Sequence, residues 1–206
     1  MRTSRPEITR QHQLLTVALP SESRLPATLK ELDCVEEYAS EKFVVVRLLE
    51  GAATVKSVVK SMNESDWAHF ACHGVQDISN PMKSALLLTA HSKLTLSEIS
   101  KLSLPFADLA FLSACQTATG AEDLEEEAVH LAAGMLLAGY RSVIATMWSI
   151  MDNDAAQVAA DVYQHLFKDS EPDPTHAAEA LHLAVETLRD KNVSFFSWVP
   201  FVHLGA

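Results

Sequence analysis

Apolar residues in this chain come in short dense runs, separated by longer stretches where they recur every third or fourth position. The runs at 14–19, 43–49, 67–72, 84–89, 109–114 and 141–147 are rich in branched and aromatic side chains, and each predicts a strand. The run at 109–114 is broken only by Ser113, as expected of a strand covered on both faces. Helical spacing appears at 28–39 (Leu29, Leu32, Val35, Ala39), 54–62 (Val55, Val58, Val59, Met62), 126–138, 152–167 and 175–191 (Ala177, Leu181, Ala184, Val185, Leu188). One or two helical turns are expected at 96–102. Gly139 is expected to cap the helix before it, and Asp152 or Asn153 the helix that follows. Residues 20–26 and 171–174 read as loops, and the aromatic tail at 195–204 as a last strand or docking segment. Strands alternating with helices predict an α/β fold: a three-layer α/β/α sandwich around a mostly parallel sheet.

Composition narrows the picture without naming a function. The chain has 206 residues, 48% of them hydrophobic, so one core of ordinary size is expected. The net charge of −11 argues against nucleic acid and against an anionic membrane surface, which both require clustered Lys and Arg. Three cysteines, Cys34, Cys72 and Cys115, form no disulfide framework and suit a reducing compartment. The first residues lack the apolar core of a signal peptide. The longest apolar stretch, 128–140, is interrupted by His130 and two glycines and falls short of the ~20 residues a spanning helix needs. A soluble, cytoplasmic protein is expected.

Chemistry concentrates at two strand ends. His-Phe-Ala-Cys-His-Gly occupies 69–74 and Leu-Ser-Ala-Cys-Gln-Thr occupies 112–117. In open α/β sheets functional groups gather beyond the carboxyl ends of strands, where His73 and Cys115 both fall. A free thiol titrates near ~8.5, so its thiolate is scarce at neutral pH unless a base takes the proton. His73 is the candidate base and Cys115 the candidate nucleophile. Gly74 lacks a side chain, so its N–H, with that of Cys115, could hold an oxyanion. Against this stand two bland facts: buried cysteines are commonly inert, and His-Gly is an ordinary way to end a strand.

The ordered motifs resemble those of the CHAT family, caspase-like cysteine peptidases related to caspases and separases. These are His73-Gly74, Ser113-Ala114-Cys115, Gly139-Tyr-Arg-Ser-Val143, Trp148-Ser-Ile-Met-Asp152-Asn-Asp154 and Trp198-Val-Pro-Phe201-Val-His-Leu-Gly205, with Leu-Pro-Ala-Thr-x-x-Glu at 25–31 as an opening segment. The resemblance divides the chain into a lead-in at 1–24 and a peptidase domain at 25–206. It implies a caspase-hemoglobinase-like fold and a cysteine endopeptidase acting on protein or peptide through Cys115 and His73. The alternative is a catalytically silent caspase-like signalling or scaffold module. Family members often follow helical repeats in longer chains, so regulatory proteins and helical-repeat domains are the partners it implies. This chain shows no internal repeat.

Secondary candidates carry two readings each. Ser113 shares a strand face with Cys115 by alternation. By resemblance it lines the pocket for the residue before the cleaved bond, and otherwise it fills a strand end. Asp152 and Asp154 either grip a basic substrate side chain, as the separase likeness implies, or serve a helix start, and capping is favoured for one of them. The acids Glu122, Asp123, Glu125, Glu126 and Glu127 read as a solvated lead into a helix, with a gating loop as the alternative. His69 and His73 lie ~13 Å apart on a strand, too far for one ion. His69 is therefore expected to be packed or hydrogen-bonded in the sheet, and Cys72 to be a core thiol on the opposite strand face from His73. No metal and no cofactor is expected. Neither a phosphate-binding glycine loop nor a Gly-x-Ser-x-Gly elbow is present.

Overall fold

Nine strands and eight α-helices follow one another in a computed structural model that describes residues 10–23, 27–75, 77, 79–113, 128–148, 150–168 and 171–206. The strands are β1 (Gln13–Ala18), β2 (Val44–Leu49), β3 (Trp67–Ala71), β4 (Gly74–Val75), β5 (Ala85–Leu87), β6 (Lys93–Thr95), β7 (Leu109–Leu112), β8 (Ser142–Thr146) and β9 (Phe201–Gly205). The helices are α1 (Pro20–Ser23), α2 (Ala27–Ala39), α3 (Val55–Glu64), α4 (Leu96–Ile99), α5 (Ala128–Ala138), α6 (Asp152–Leu166), α7 (Ala177–Asp190) and α8 (Phe195–Trp198).

Six strands form the central sheet in the order β2-β1-β3-β7-β8-β9. The first five are parallel, and β9 closes the edge antiparallel to β8. Strand order reverses at β1: β2 lies on one side of it, while β3, β7 and β8 lie on the other. Side-chain alternation divides the interior into two cores. One face carries Leu15, Val17, Ala68, Phe70, Cys72, Ala110, Leu112, Val143 and Ala145 and packs under residues of α3, α4 and α5. The other carries Leu14, Trp67, Leu109, Phe111 and Ile144 under α2, α6 and α7. The result is the expected three-layer α/β/α arrangement.

Local chemistry explains most element boundaries. Thr54 starts α3 through a capping box, accepting from the Ser57 N–H at 3.1 Å while its own N–H donates to Ser57 Oγ at 3.0 Å. Gly139 ends α5 as expected. At φ +126° it lets the Tyr140 N–H return to the Met135 carbonyl at 3.1 Å. Three features depart from the expectations. Residues 20–23 form one helical turn within a predicted loop. The strand expected at 84–89 lies outside the main sheet: β4, β5 and β6 make a separate antiparallel sheet. In α2 the inward stripe is Thr28, Glu31, Leu32, Val35 and Ala39, so Glu31 faces in, whereas Leu29, expected inward, is exposed.

Candidate active site

The site's frame is the pair β3 and β7. They are neighbours and parallel, in the register Trp67–Leu109, Ala68–Ala110, His69–Phe111 and Phe70–Leu112. β3 ends at Ala71, and Cys72 then turns into the other core, where it is fully buried and carries no disulfide. His73 follows, half-buried. Its backbone is held from β5: the Leu87 N–H donates to the His73 carbonyl at 2.8 Å. Gly74 then pairs with Leu86 and Val75 with Ala85. Hydrogen-bonded and non-hydrogen-bonded pairs alternate along an antiparallel ladder. With the bond at His73–Leu87, Gly74 occupies a non-hydrogen-bonded position and its N–H points away from β5.

The small sheet therefore has a role that the periodicity of the chain did not reveal. It fixes the turn that carries His73 and Gly74. Beyond it Asp77 closes the next turn, accepting from Ser79 Oγ at 2.5 Å and from the Asn80 N–H at 2.9 Å. The Ser79 hydroxyl, then the Asn80 N–H, hold the Asp77 carboxyl below the usual carboxylate range.

Just past β7 the described residues end at Ser113, which is buried at 3% exposure. Cys115, with its thiol and its N–H, lies outside the described residues, as do Glu122, Asp123, Glu125, Glu126 and Glu127. On the next strand, β8, the chain leaves the sheet after Thr146. The Trp148 Nε1–H donates to the Phe196 carbonyl at 3.0 Å, and the two rings meet edge to face at 6.3 Å. Because Phe201 pairs with Thr146, the α8 segment stands at this same end of the sheet. His73, Ser113, Trp148 and the exposed Phe195 and Phe196 thus gather along one rim. The aromatics of 195–198 were readable only as an apolar tail, since their rim position depends on the antiparallel direction of β9.

The N-cap of α6, expected at Asp152 or Asn153, falls instead on the residue before them. Met151 is the N-cap residue of α6 and makes no side-chain cap bond. The helix begins at 152 as expected, so Asp152 is its first residue and Asp154 its third, with the Asp154 N–H donating to the Met151 carbonyl at 2.9 Å. A carboxylate in the first turn of a helix is favoured by the positive end of the helix dipole, and Asp154 occupies such a position. Asp154 is half-buried.

His69 behaves as expected of a packed, hydrogen-bonded histidine. Its Nε2 lies 2.9 Å from Glu31 Oε1 on α2. Its ring lies 4.9 Å from that of Phe111 and 5.5 Å from that of Tyr163. Among the described residues no group of three His, Cys, Asp or Glu side chains could hold a metal ion. No described helix is long and apolar enough to cross a membrane.

A parallel sheet in the order 2-1-3-7-8-9, with an antiparallel last strand and helices on both faces, is the caspase-like cysteine peptidase fold. The chain belongs to the CHAT domain family, whose sequence profile matches residues 1–206. No curated protein sequence matches it. Among solved structures it is similar to the Arg-specific cysteine proteinase gingipain R of Porphyromonas gingivalis, with a TM-score of 0.60 at 13% identity over 94% of this chain and 46% of that one. It is also similar to separase in the Saccharomyces cerevisiae separase–securin complex, with a TM-score of 0.60 at 13% identity over 95% of this chain and 12% of that one. The chain thus spans under half of the gingipain chain and about an eighth of the separase chain. Likeness at this identity is likeness of fold.

Proposed function

We propose that this chain is a cysteine endopeptidase in which Cys115 is the nucleophile and His73 the base. One observation carries the reading: the strand leading to His73 and the strand leading to Cys115 are adjacent and parallel, with Phe70 opposite Leu112. Carried forward in residue numbering alone, that register sets 73 against 115. Neighbouring strands are ~4.8 Å apart, and two peptide units from Ser113 to Cys115 reach at most ~7 Å. Adjacent strand ends of this kind support pairing a base on one with a nucleophile on the other.

The reaction follows from those parts. The His73 imidazole takes the thiol proton, and the Cys115 sulfur attacks the carbonyl carbon of the scissile peptide. Charge moves to the carbonyl oxygen, where the N–H groups of Gly74 and Cys115 receive it. The orientation of the Gly74 N–H away from β5 supports its share. The His73 imidazolium then protonates the leaving amine as the C–N bond breaks, leaving a thioester on Cys115. Water, deprotonated by His73, attacks the thioester and releases the acid. Ser113, Asp152 and Asp154 form the pocket for the residue before the cleaved bond, and the two carboxylates favour a basic side chain there. The gingipain relative, an Arg-specific proteinase by description, supports that preference. The chain's partners are protein substrates and a regulatory protein. Support for the latter is that one solved relative is held with securin and another with its own pro-domain.

The test is a peptide library exposed to the purified chain and to its Cys115→Ala variant. The reading expects cleavage after basic residues by the parent and none by the variant. Equal cleavage by the two would overturn it.

A further inference from the structure

We propose that the buried Glu31–His69 pair is a positioning element of the active site, setting the level of β3 against β7 and so the approach of His73 to Cys115. The inference rests on the dyad reading above and adds two residues to which that reading gives no part. Both side chains are sealed from solvent, at 0% exposure for His69 and 2% for Glu31. Four elements meet at them. Glu31 comes from α2, His69 from β3, Phe111 from β7 directly opposite His69, and Tyr163 from α6.

The surroundings make the pair selective. The side chains packed around the pair are mostly apolar or aromatic, including Leu14, Trp67, Ile144, Val158 and Val162, with the buried hydroxyls of Thr16 and Ser142 on the same sheet face. Apolar packing is non-directional and accepts small slips. A slip of β3 by two residues would keep the same side chains facing inward but bring Trp67 or Ala71 to Glu31. A buried carboxyl would then have lost its only described partner, which is strongly unfavourable. One hydrogen bond at 2.9 Å thus selects one alignment of β3 beneath α2. The His69 ring, lying against Phe111, extends that selection to β7. His73 is four residues beyond His69, and Ser113 two beyond Phe111.

The pair is not arranged for stability alone. His69 Nδ1 and the Tyr163 hydroxyl are both buried with no hydrogen-bond partner among the described residues. The titratable groups facing the imidazole are Glu31 from α2 and Tyr163 from α6. On β1, Thr16 stands beside His69, but its hydroxyl donates to Glu36 at 2.6 Å. Burial, then the charge of Glu31, pushes the Tyr163 phenol far up, so it stays neutral. A core selected only for stability would hold apolar residues here. Retaining a partly satisfied polar pair under two strands that lead to a reactive site fits a constraint on alignment.

The experiment is the pH profile of Cys115 alkylation by iodoacetamide, followed by peptide mass spectrometry so that Cys34 and Cys72 do not interfere. The parent is compared with Glu31→Gln, with the apolar pair Glu31→Leu/His69→Phe, with His69→Gln and with His73→Ala. Melting temperature is recorded for each, and alkylation is run below it. In the parent a His73-paired thiol reacts well under the ordinary midpoint near ~8.5. The apolar pair is expected to slow Cys115 alkylation at about pH 6.5 by ~10-fold or more, toward the ordinary thiol, whereas Glu31→Gln, whose amide oxygen can still accept from His69, keeps most of the parental profile. The apolar pair does so while melting no lower than the parent. His69→Gln, whose amide nitrogen can reach Glu31, keeps most of the parental profile. An unchanged profile in the folded apolar pair would overturn the inference, because a merely structural pair moves the melting temperature alone. A parent Cys115 that titrates as an ordinary thiol, indifferent to His73→Ala, would instead remove the dyad reading and this inference with it.

Discussion

Glu31 and His69 are 38 positions apart, and neither announces its partner. Each sits as a polar residue inside an apolar pattern, which signals a special role without saying which residue answers it. Replacing Glu31 by Ala leaves a buried His69 nitrogen without its hydrogen-bond partner, and such losses cost about 1–3 kcal/mol. Urea denaturation should read a fall of that size. A second residue links the fold to pH. His203 Nε2 lies 2.7 Å from Ser142 Oγ, and burial lowers the His203 pKa from 6.5. The unfolded chain then binds a proton more readily than the folded one, so stability rises with pH over this range. The contribution is whole above 6.5 and declines as pH falls through that value toward the lower folded one. In urea titrations between about pH 7.5 and 5, His203→Gln should lose less stability on acidification than the parent. At this scale the positions of His73 and Ser113 just past the ends of β3 and β7 were legible, because strand ends can be read from apolar runs. The sequence marked the start of α6 at Asp152 but not its cap, because Met151 stands at that position without a side-chain cap bond and so carries no capping signal.

Among the elements, the strands of the parallel sheet were the most legible. β1, β3, β7 and β8 are covered on both faces, so apolar density alone marks them. β5 lies within the strand expected at 84–89, but β4 and β6, of two and three residues, are shorter than any periodic window, so the small sheet that holds the His73 turn stayed hidden. Strand direction is also absent from periodicity, which is why the antiparallel path of β9 could not be foreseen. The end of α5, by contrast, was written in one residue. A Cβ on Gly139 would stand 2.8 Å from the Leu104 carbonyl oxygen, at a φ that side chains resist. Gly139→Ala should therefore destabilise by more than about 1 kcal/mol, read as a lowered thermal midpoint.

For the molecule as a whole, the two faces of one sheet share their strands, so neither core can be lost alone. Phe70 and Phe111 sit on opposite faces, each fully buried. Phe70→Ala and Phe111→Ala should each cost about 3–5 kcal/mol, and calorimetry should show one cooperative transition shifted down in both. That shared sheet is also what brings β3 and β7 side by side and collects the ends of β3, β7 and β8 on one rim, a few residues before the rest of the proposed machinery.

The most direct measurement is labelling by a peptidyl acyloxymethyl ketone with a basic residue next to the warhead, located by mass spectrometry in the parent, in His73→Ala and in Cys115→Ala. The dyad account predicts adduct on Cys115 of the parent, at least ~10³-fold slower labelling in His73→Ala, and none in Cys115→Ala. Labelling of Cys115 at the same rate with and without the imidazole of His73 would contradict it.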